Sequence, residues 1–150
     1  LAVVENRDVI FAIGGEGHFN SPSTTEMFDP RVGHWEDLPD SPEILPNCTA
    51  AVYNNRIYAL SGSEFLIYDI IGNQWTTGQK SRISYNYTQA VSYCNDILLL
   101  GGTKTENPEK AINSVQSYNI RRDAWGIKRD LAEPITNHCA VVALPDLIWS

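Results

Sequence analysis

The feature that most limits what this chain can fold into is an interval that does not change. An aromatic residue is followed seven positions later by tryptophan three times, Phe28 to Trp35, Tyr68 to Trp75 and Tyr118 to Trp125. Ahead of each stands an apolar run ending in two small residues: Ile10-Phe11-Ala12-Ile13-Gly14-Gly15, Ile57-Tyr58-Ala59-Leu60-Ser61-Gly62 and Ile97-Leu98-Leu99-Leu100-Gly101-Gly102. From Trp35 to Gly62 is 27 residues and from Trp75 to Gly102 is 27 again, although successive tryptophans stand 40 and then 50 apart. All the length variation therefore sits between the small pair and the aromatic. Packed faces tolerate no insertion while surface connections do, so a fixed frame with one elastic loop describes a stack of equivalent units.

Each unit reads as one small sheet. Its first strand is Ala50-Ala51-Val52-Tyr53, Ala90-Val91-Ser92-Tyr93 or Ala140-Val141-Val142-Ala143, and a polar turn such as Asn54-Asn55-Arg56 or Asn95-Asp96 leads into the apolar run as the second. The third strand carries the aromatic, as in Thr25-Glu26-Met27-Phe28, Leu66-Ile67-Tyr68 and Val115-Gln116-Ser117-Tyr118. A turn, Asp29-Pro30-Arg31-Val32-Gly33 or Ile71-Gly72-Asn73, returns the chain to a fourth strand that begins at the tryptophan. Four antiparallel strands per unit make the blade of a propeller. The expected fold is therefore all-β, with repeats at about 1–46, 47–86 and 87–136 and a partial one at 137–150. Adding the 27-residue interval to Trp125 puts the next small pair beyond Ser150, so Leu147-Ile148-Trp149-Ser150 is expected to be the second strand of a fourth blade. The spacing predicts three whole blades and the start of a fourth, and three blades alone would leave open edges, so part of a larger ring or a half that pairs with another half is expected.

These residues resemble the kelch repeat, whose pattern is a strand ending in Gly-Gly, a Tyr-Asp-Pro-like element and a tryptophan. Gly14-Gly15, Phe28-Asp29-Pro30 and Trp35 match it in repeat one, and Gly101-Gly102, Tyr118-Asn119 and Trp125 match it in repeat three. Repeat two departs from it with Ser61 at the first glycine and a short loop, Ser63-Glu64-Phe65. The resemblance covers nearly the whole chain and is greatest to the kelch domain of BTB-kelch proteins. It implies a protein-interaction module, the substrate-recognition domain of a cullin-type ubiquitin-ligase adaptor that reaches cullin through a BTB domain elsewhere in the full protein. An actin-binding or scaffold kelch protein, and a secreted propeller related to copper oxidases, are the alternatives.

Charge and residue types narrow the function further. Eleven basic against eighteen acidic side chains give a net charge of -7, which repels phosphate backbones and anionic headgroups and argues against nucleic-acid or membrane partners. His18, His34 and His138 lack metal-ligand spacing, and no nucleophile elbow or phosphate-cradling loop occurs, so no catalytic residue, metal or cofactor is expected. Cys48, Cys94 and Cys139 lack zinc-site spacing and are expected as buried free thiols in a cytoplasmic, reducing setting. The secreted alternative would instead use the sequons Asn47-Cys48-Thr49 and Asn86-Tyr87-Thr88 as glycan acceptors.

A residue type that recurs at one repeat position has a packing role, so the tryptophans and their partner aromatics are assigned to the spaces between blades. Binding is expected where the repeats disagree. Two loop sets qualify, the one after each small pair and the one joining a fourth strand to the next blade, and both should emerge at the end of the inner hairpin opposite its turn. The resemblance places partner-binding positions just after Gly-Gly and about fifteen residues before the second glycine. In this chain they fall on Glu16, His18, Ser63, Phe65, Thr103 and Thr105, and on Asn47, Tyr87 and Asn137. Phe19, Phe65, Tyr85 and Tyr87 are the candidate aromatic anchors and Arg82 the nearest basic group. Neither set contains an arginine, so the face is expected to be neutral to polar rather than built for acidic peptides.

Overall fold

A computed structural model describes residues 1–15, 23–81 and 83–143. Its strands are β1 (Ala2–Asn6), β2 (Val9–Ile13), β3 (Thr25–Phe28), β4 (Trp35–Leu38), β5 (Thr49–Tyr53), β6 (Arg56–Ser61), β7 (Glu64–Asp69), β8 (Gln74–Thr77), β9 (Tyr85–Asn86), β10 (Gln89–Tyr93), β11 (Asp96–Leu100), β12 (Thr103–Lys104), β13 (Asn107–Ala111), β14 (Val115–Asn119) and β15 (Ala124–Ile127). Three four-stranded antiparallel sheets, β1-β2-β3-β4, β5-β6-β7-β8 and β10-β11-β14-β15, are the three blades that the interval predicts. The aromatic and tryptophan of each blade face one another across its outer strand pair, in the registers Phe28↔Trp35, Tyr68↔Trp75 and Tyr118↔Trp125. A constant seven-residue interval follows, since any change would shift this pairing.

The inner hairpins close on tight turns. Arg7 and Asp8, with φ of 53° and 65°, and Asn54 and Asn55, with φ of 50° and 58°, fill two-residue turns whose paired positive φ values match the twist of the flanking strands. The strands β1, β5 and β10 then stand in succession around a channel of about 460 Å³, lined among others by Val4, Val52 and Val91. The Ala90 N–H crosses between two of them to the Thr49 hydroxyl at 2.8 Å. Ala140, Val141 and Val142 line the same channel, although residues 140–143 form no strand among the described residues. The expected second strand at 147–150 lies outside the described residues.

Period-2 alternation explains how the middle blade holds its neighbours. Ile57 and Ala59 of β6 join Phe11, Ile13, Leu45, Leu66 and Tyr68 in the core between blades one and two. Tyr58 and Leu60 of the same strand join Phe65, Ile97, Leu99 and Tyr118 between blades two and three. A strand buried on both faces must read as a continuous apolar run, as β6 does. The tryptophans add a directed bond to this packing. Trp75 Nε1–H donates to the Pro39 carbonyl at 2.9 Å and Trp125 Nε1–H to the Gln79 carbonyl at 2.6 Å. Each acceptor lies four residues after the tryptophan of the preceding blade, so the bond recurs with the repeat.

The Asp of the Tyr-Asp-Pro-like element has a local task. Its side chain accepts backbone N–H groups of the turn that follows: Arg31 on Asp29 at 2.9 Å, Gly72 on Asp69 at 2.8 Å and Arg122 on Asn119 at 3.0 Å. Five residues after the aromatic comes a left-handed position, Gly33, Asn73 or Asp123. Tyr68 and Tyr118 donate their hydroxyls to the Asn73 and Asp123 side chains. Phe28 has no hydroxyl to place, and its partner position is a glycine.

Candidate functional site: the loop face

The two loop sets meet. Tyr85 N–H, in the connection between blades two and three, donates to the Gly62 carbonyl at 3.1 Å, and Gly102 N–H donates to the Ile135 carbonyl of the connection after blade three at 2.7 Å. The glycine pair makes this approach possible. At Gly102, with φ of 91°, a Cβ would lie 2.5 Å from the Asn86 carbonyl oxygen and 2.8 Å from the Thr88 nitrogen, so only glycine fits. At Ser61, in repeat two, the hydroxyl instead donates to the Pro46 carbonyl of the preceding connection.

The long loop of repeat three carries structure of its own. β12 and β13 form a hairpin, and β9 from the connection joins it in a three-stranded sheet, with Thr103 opposite Asn86 and Lys104 opposite Tyr85. Pro108 sits in β13, at the sheet's edge, where its missing N–H breaks no ladder. At the rim, the Thr105 hydroxyl pairs with that of Ser84 at 2.7 Å and accepts from Asn86 Nδ2 at 3.3 Å.

The structure sorts the predicted positions. Asn47, Tyr87 and Asn137 are all exposed, and all three adopt the left-handed conformation, with φ of 51°, 54° and 51°. Asparagine tolerates that region; a bulky tyrosine is strained in it, and Tyr87 is 41% exposed besides. Thr105 is exposed, Ser63 is half-buried in its turn, and Thr103 is buried in β12. Glu16, His18, Phe19 and Arg82 lie outside the described residues.

Phe65 requires a correction: it is fully buried between blades two and three, with its ring centroid 4.6 Å from Tyr118 and 5.2 Å from Trp125. The cause is the length of the connection. Gly62, at φ of 61°, opens a two-residue turn with Ser63, so the residue two places after Gly62 already belongs to β7. Tyr85 is also buried rather than an anchor, and its hydroxyl receives the Gln116 amide. Of the cysteines, Cys48 is buried, which pushes its thiol up to about 12, whereas Cys94 and Cys139 are exposed, against expectation.

Charge is unevenly placed around the fold. Residues 1–46 hold Glu5, Asp8, Glu16, Glu26, Asp29, Glu36, Asp37, Asp40 and Glu43 against Arg7 and Arg31, a balance of -7 that equals the charge of the whole chain. Residues 87–136 carry six of its eleven bases and are neutral overall. The electrostatic field therefore belongs to the first repeat rather than to the chain at large.

No protein-family model matches the sequence. Among curated proteins, it is 25% identical over 146 residues to Kelch-like protein 40 of Mus musculus, covering 87% of this chain and 23% of that protein. It is 27% identical over 125 residues to Kelch repeat and BTB domain-containing protein 8 of Homo sapiens, covering 81% and 20%. Alpha-scruin of Limulus polyphemus is 24% identical over 152 residues, covering 90% and 16%. The chain thus spans about a fifth of the length of these relatives. With its interval repeated in three four-stranded blades, the chain folds as part of a kelch-type β-propeller, and over most of its length it is similar to kelch-repeat proteins.

Proposed function

We propose that the chain is a protein-interaction module that grips a peptide of its partner on the loop face, as the substrate-recognition domain of a cullin-type ubiquitin-ligase adaptor. The observation that carries this reading is Tyr87: an exposed aromatic held in a strained left-handed conformation beside a loop sheet that joins both loop sets. Strain of this kind persists where the surroundings over-determine it, and it clusters at binding sites. The recurrent aromatics of repeats two and three are occupied between blades, which leaves the loops to carry specificity. Asn47, Tyr87, Thr105 and Asn137 form the contact set, with Ser63 at its margin. Glu16, His18, Phe19 and Arg82 complete the face on sequence grounds.

The adaptor role rests on the resemblance to the kelch domain of BTB-kelch proteins, in keeping with a relative named for both kelch repeats and a BTB domain, and it requires a BTB domain in the full protein to bring cullin. Free thiols exposed at Cys94 and Cys139 favour a reducing cytoplasmic setting. The test is a peptide-display selection on the immobilised chain, followed by binding of the selected peptides to a variant carrying Asn47→Ala, Tyr87→Ala and Asn137→Ala. Loss of at least tenfold in affinity, about 1.4 kcal/mol, is expected. Selected peptides that bind the variant as well as the parent would refute the assignment of this face.

A further inference from the structure

Each blade ends in an outer strand with no partner on one edge among the described residues, and the three edges differ. β4 carries Glu36 and Asp37 and is followed by Pro39, and β8 carries Thr76 and Thr77. Charge and proline discourage pairing on an exposed edge. Unlike β4, β15 has neither charge nor proline, and unlike β8 it ends on an exposed apolar residue: it reads Ala124-Trp125-Gly126-Ile127, and Ile127 is 79% exposed. Lys128 N–H donates to the Val115 carbonyl at 2.9 Å. Antiparallel alternation then turns the backbone groups of Gly126 toward β14 as well and leaves the N–H and C=O of Trp125 and Ile127 facing outward.

A groove of about 560 Å³ is lined by Trp125 and Ile127 of this strand, by Gln116 of β14 and by Gln79, Lys80 and Ile83 of the preceding connection. At the ends of the strand stand Arg121, Arg122 and Arg129, all exposed and none in an ion pair among the described residues. With Lys128 they make four bases in residues 121–130 against two acids, Asp123 and Asp130. A chain of net charge -7 therefore presents, between guanidinium groups, an uncharged strand whose outer edge has no partner among the described residues.

We propose that the open edge of β15 is a second docking site, which takes an extended peptide by strand addition. The peptide has apolar side chains at alternate positions and acidic residues at its ends. Main-chain bonds to Trp125 and Ile127 hold it, its apolar side chains enter the groove, and its carboxylates meet Arg121, Arg122 and Arg129. This site is distinct from the loop face and does not depend on it.

The probe is a fluorescein-labelled peptide with a Val-Thr-Val-Thr-Val core flanked at both ends by Asp-Glu, titrated with the intact chain and read by anisotropy. Ile127→Pro removes an outward N–H without breaking a ladder bond, so it should keep the circular-dichroism spectrum and weaken binding by about tenfold. Arg121→Glu with Arg122→Glu, both on the surface, should weaken it similarly and flatten its dependence on salt. Tyr87→Ala should leave it unchanged, which separates this site from the loop face. The proposal is overturned if the chain does not bind the peptide, if a Lys-flanked peptide binds as well, or if the charge-reversed variant binds like the parent. It is also overturned if ultracentrifugation shows self-association that Ile127→Pro abolishes, because the edge would then serve a second copy of the chain.

Discussion

Tyr87 is the residue at which backbone conformation and exposure conflict most plainly. For an L-residue other than Gly, Asn or Asp, the left-handed region costs about 1–2 kcal/mol, and the equivalent residues Asn47 and Asn137 avoid most of that cost. Tyr87→Asn is therefore expected to stabilise the fold by about 1 kcal/mol and raise the melting temperature by about 2–4 °C, a shift that scanning calorimetry resolves. No change, or a fall, would mean that Tyr87 contributes packing that offsets its strain. A second residue-scale effect depends on pH. The Gly72 and Ile71 N–H groups, with Arg56 nearby, hold the Asp69 carboxyl below its ordinary value of 3.8. A carboxylate depressed in the folded state stabilises above its unfolded pKa, and that contribution is lost as pH falls through the folded value. Asn119 performs the same capping in repeat three without titrating. Asp69→Asn should thus be slightly less stable than the parent at neutral pH, with the gap closing as acid protonates Asp69; urea melts at a series of pH values would show a constant gap if the cap does not titrate.

At the scale of elements, the constant intervals made the blades legible in the sequence because each belongs to a packed contact. Seven residues span the outer strand pair, and the 27 from one tryptophan to the next small pair cross the interface between blades. What the sequence left hidden lies inside the elastic loop, where no packed face constrains length. A two-residue turn at Gly62-Ser63 carried Phe65 into the core, and a hairpin that contains Pro108 grew within the repeat-three insertion. Pro108 is acceptable there because β13 is the edge strand of its sheet among the described residues. The corrected place of Phe65 yields a prediction. Phe65→Ala should cost about 3–5 kcal/mol, as core aromatics do, whereas a loop-face residue would cost little. Trp75→Phe, which keeps an aromatic but loses the donor to the Pro39 carbonyl, should cost about 1 kcal/mol, and Trp35→Phe much less, since Trp35 is 49% exposed. Chemical denaturation of the variants orders them; equal losses at Trp35 and Trp75 would remove the bond to the preceding blade from the explanation.

For the molecule as a whole, stability should follow position in the stack, because each blade contacts only its neighbours. The middle blade is the one with a described blade against each face, and its second strand shows this directly: five of the six residues of β6 are buried, against two of five in β2 and two of five in β11. All three strands are paired on both sides within their own sheets, so the hydrogen-bond ladder alone would protect their amides alike. Burial against neighbouring blades breaks that equivalence, since an amide exchanges through the cheapest opening that frees it. Hydrogen-exchange mass spectrometry should accordingly find the slowest amides in β6 and faster ones in β2 and β11. Phe65→Ala adds a directional test. Its ring lies in the core between blades two and three, so its loss should speed exchange in β6, β7, β11 and β14 while β2 and β3, on the far side of the first core, change less. Equal acceleration everywhere would mean that the blades open as one cooperative unit, and the nearest-neighbour description of this domain would then fail.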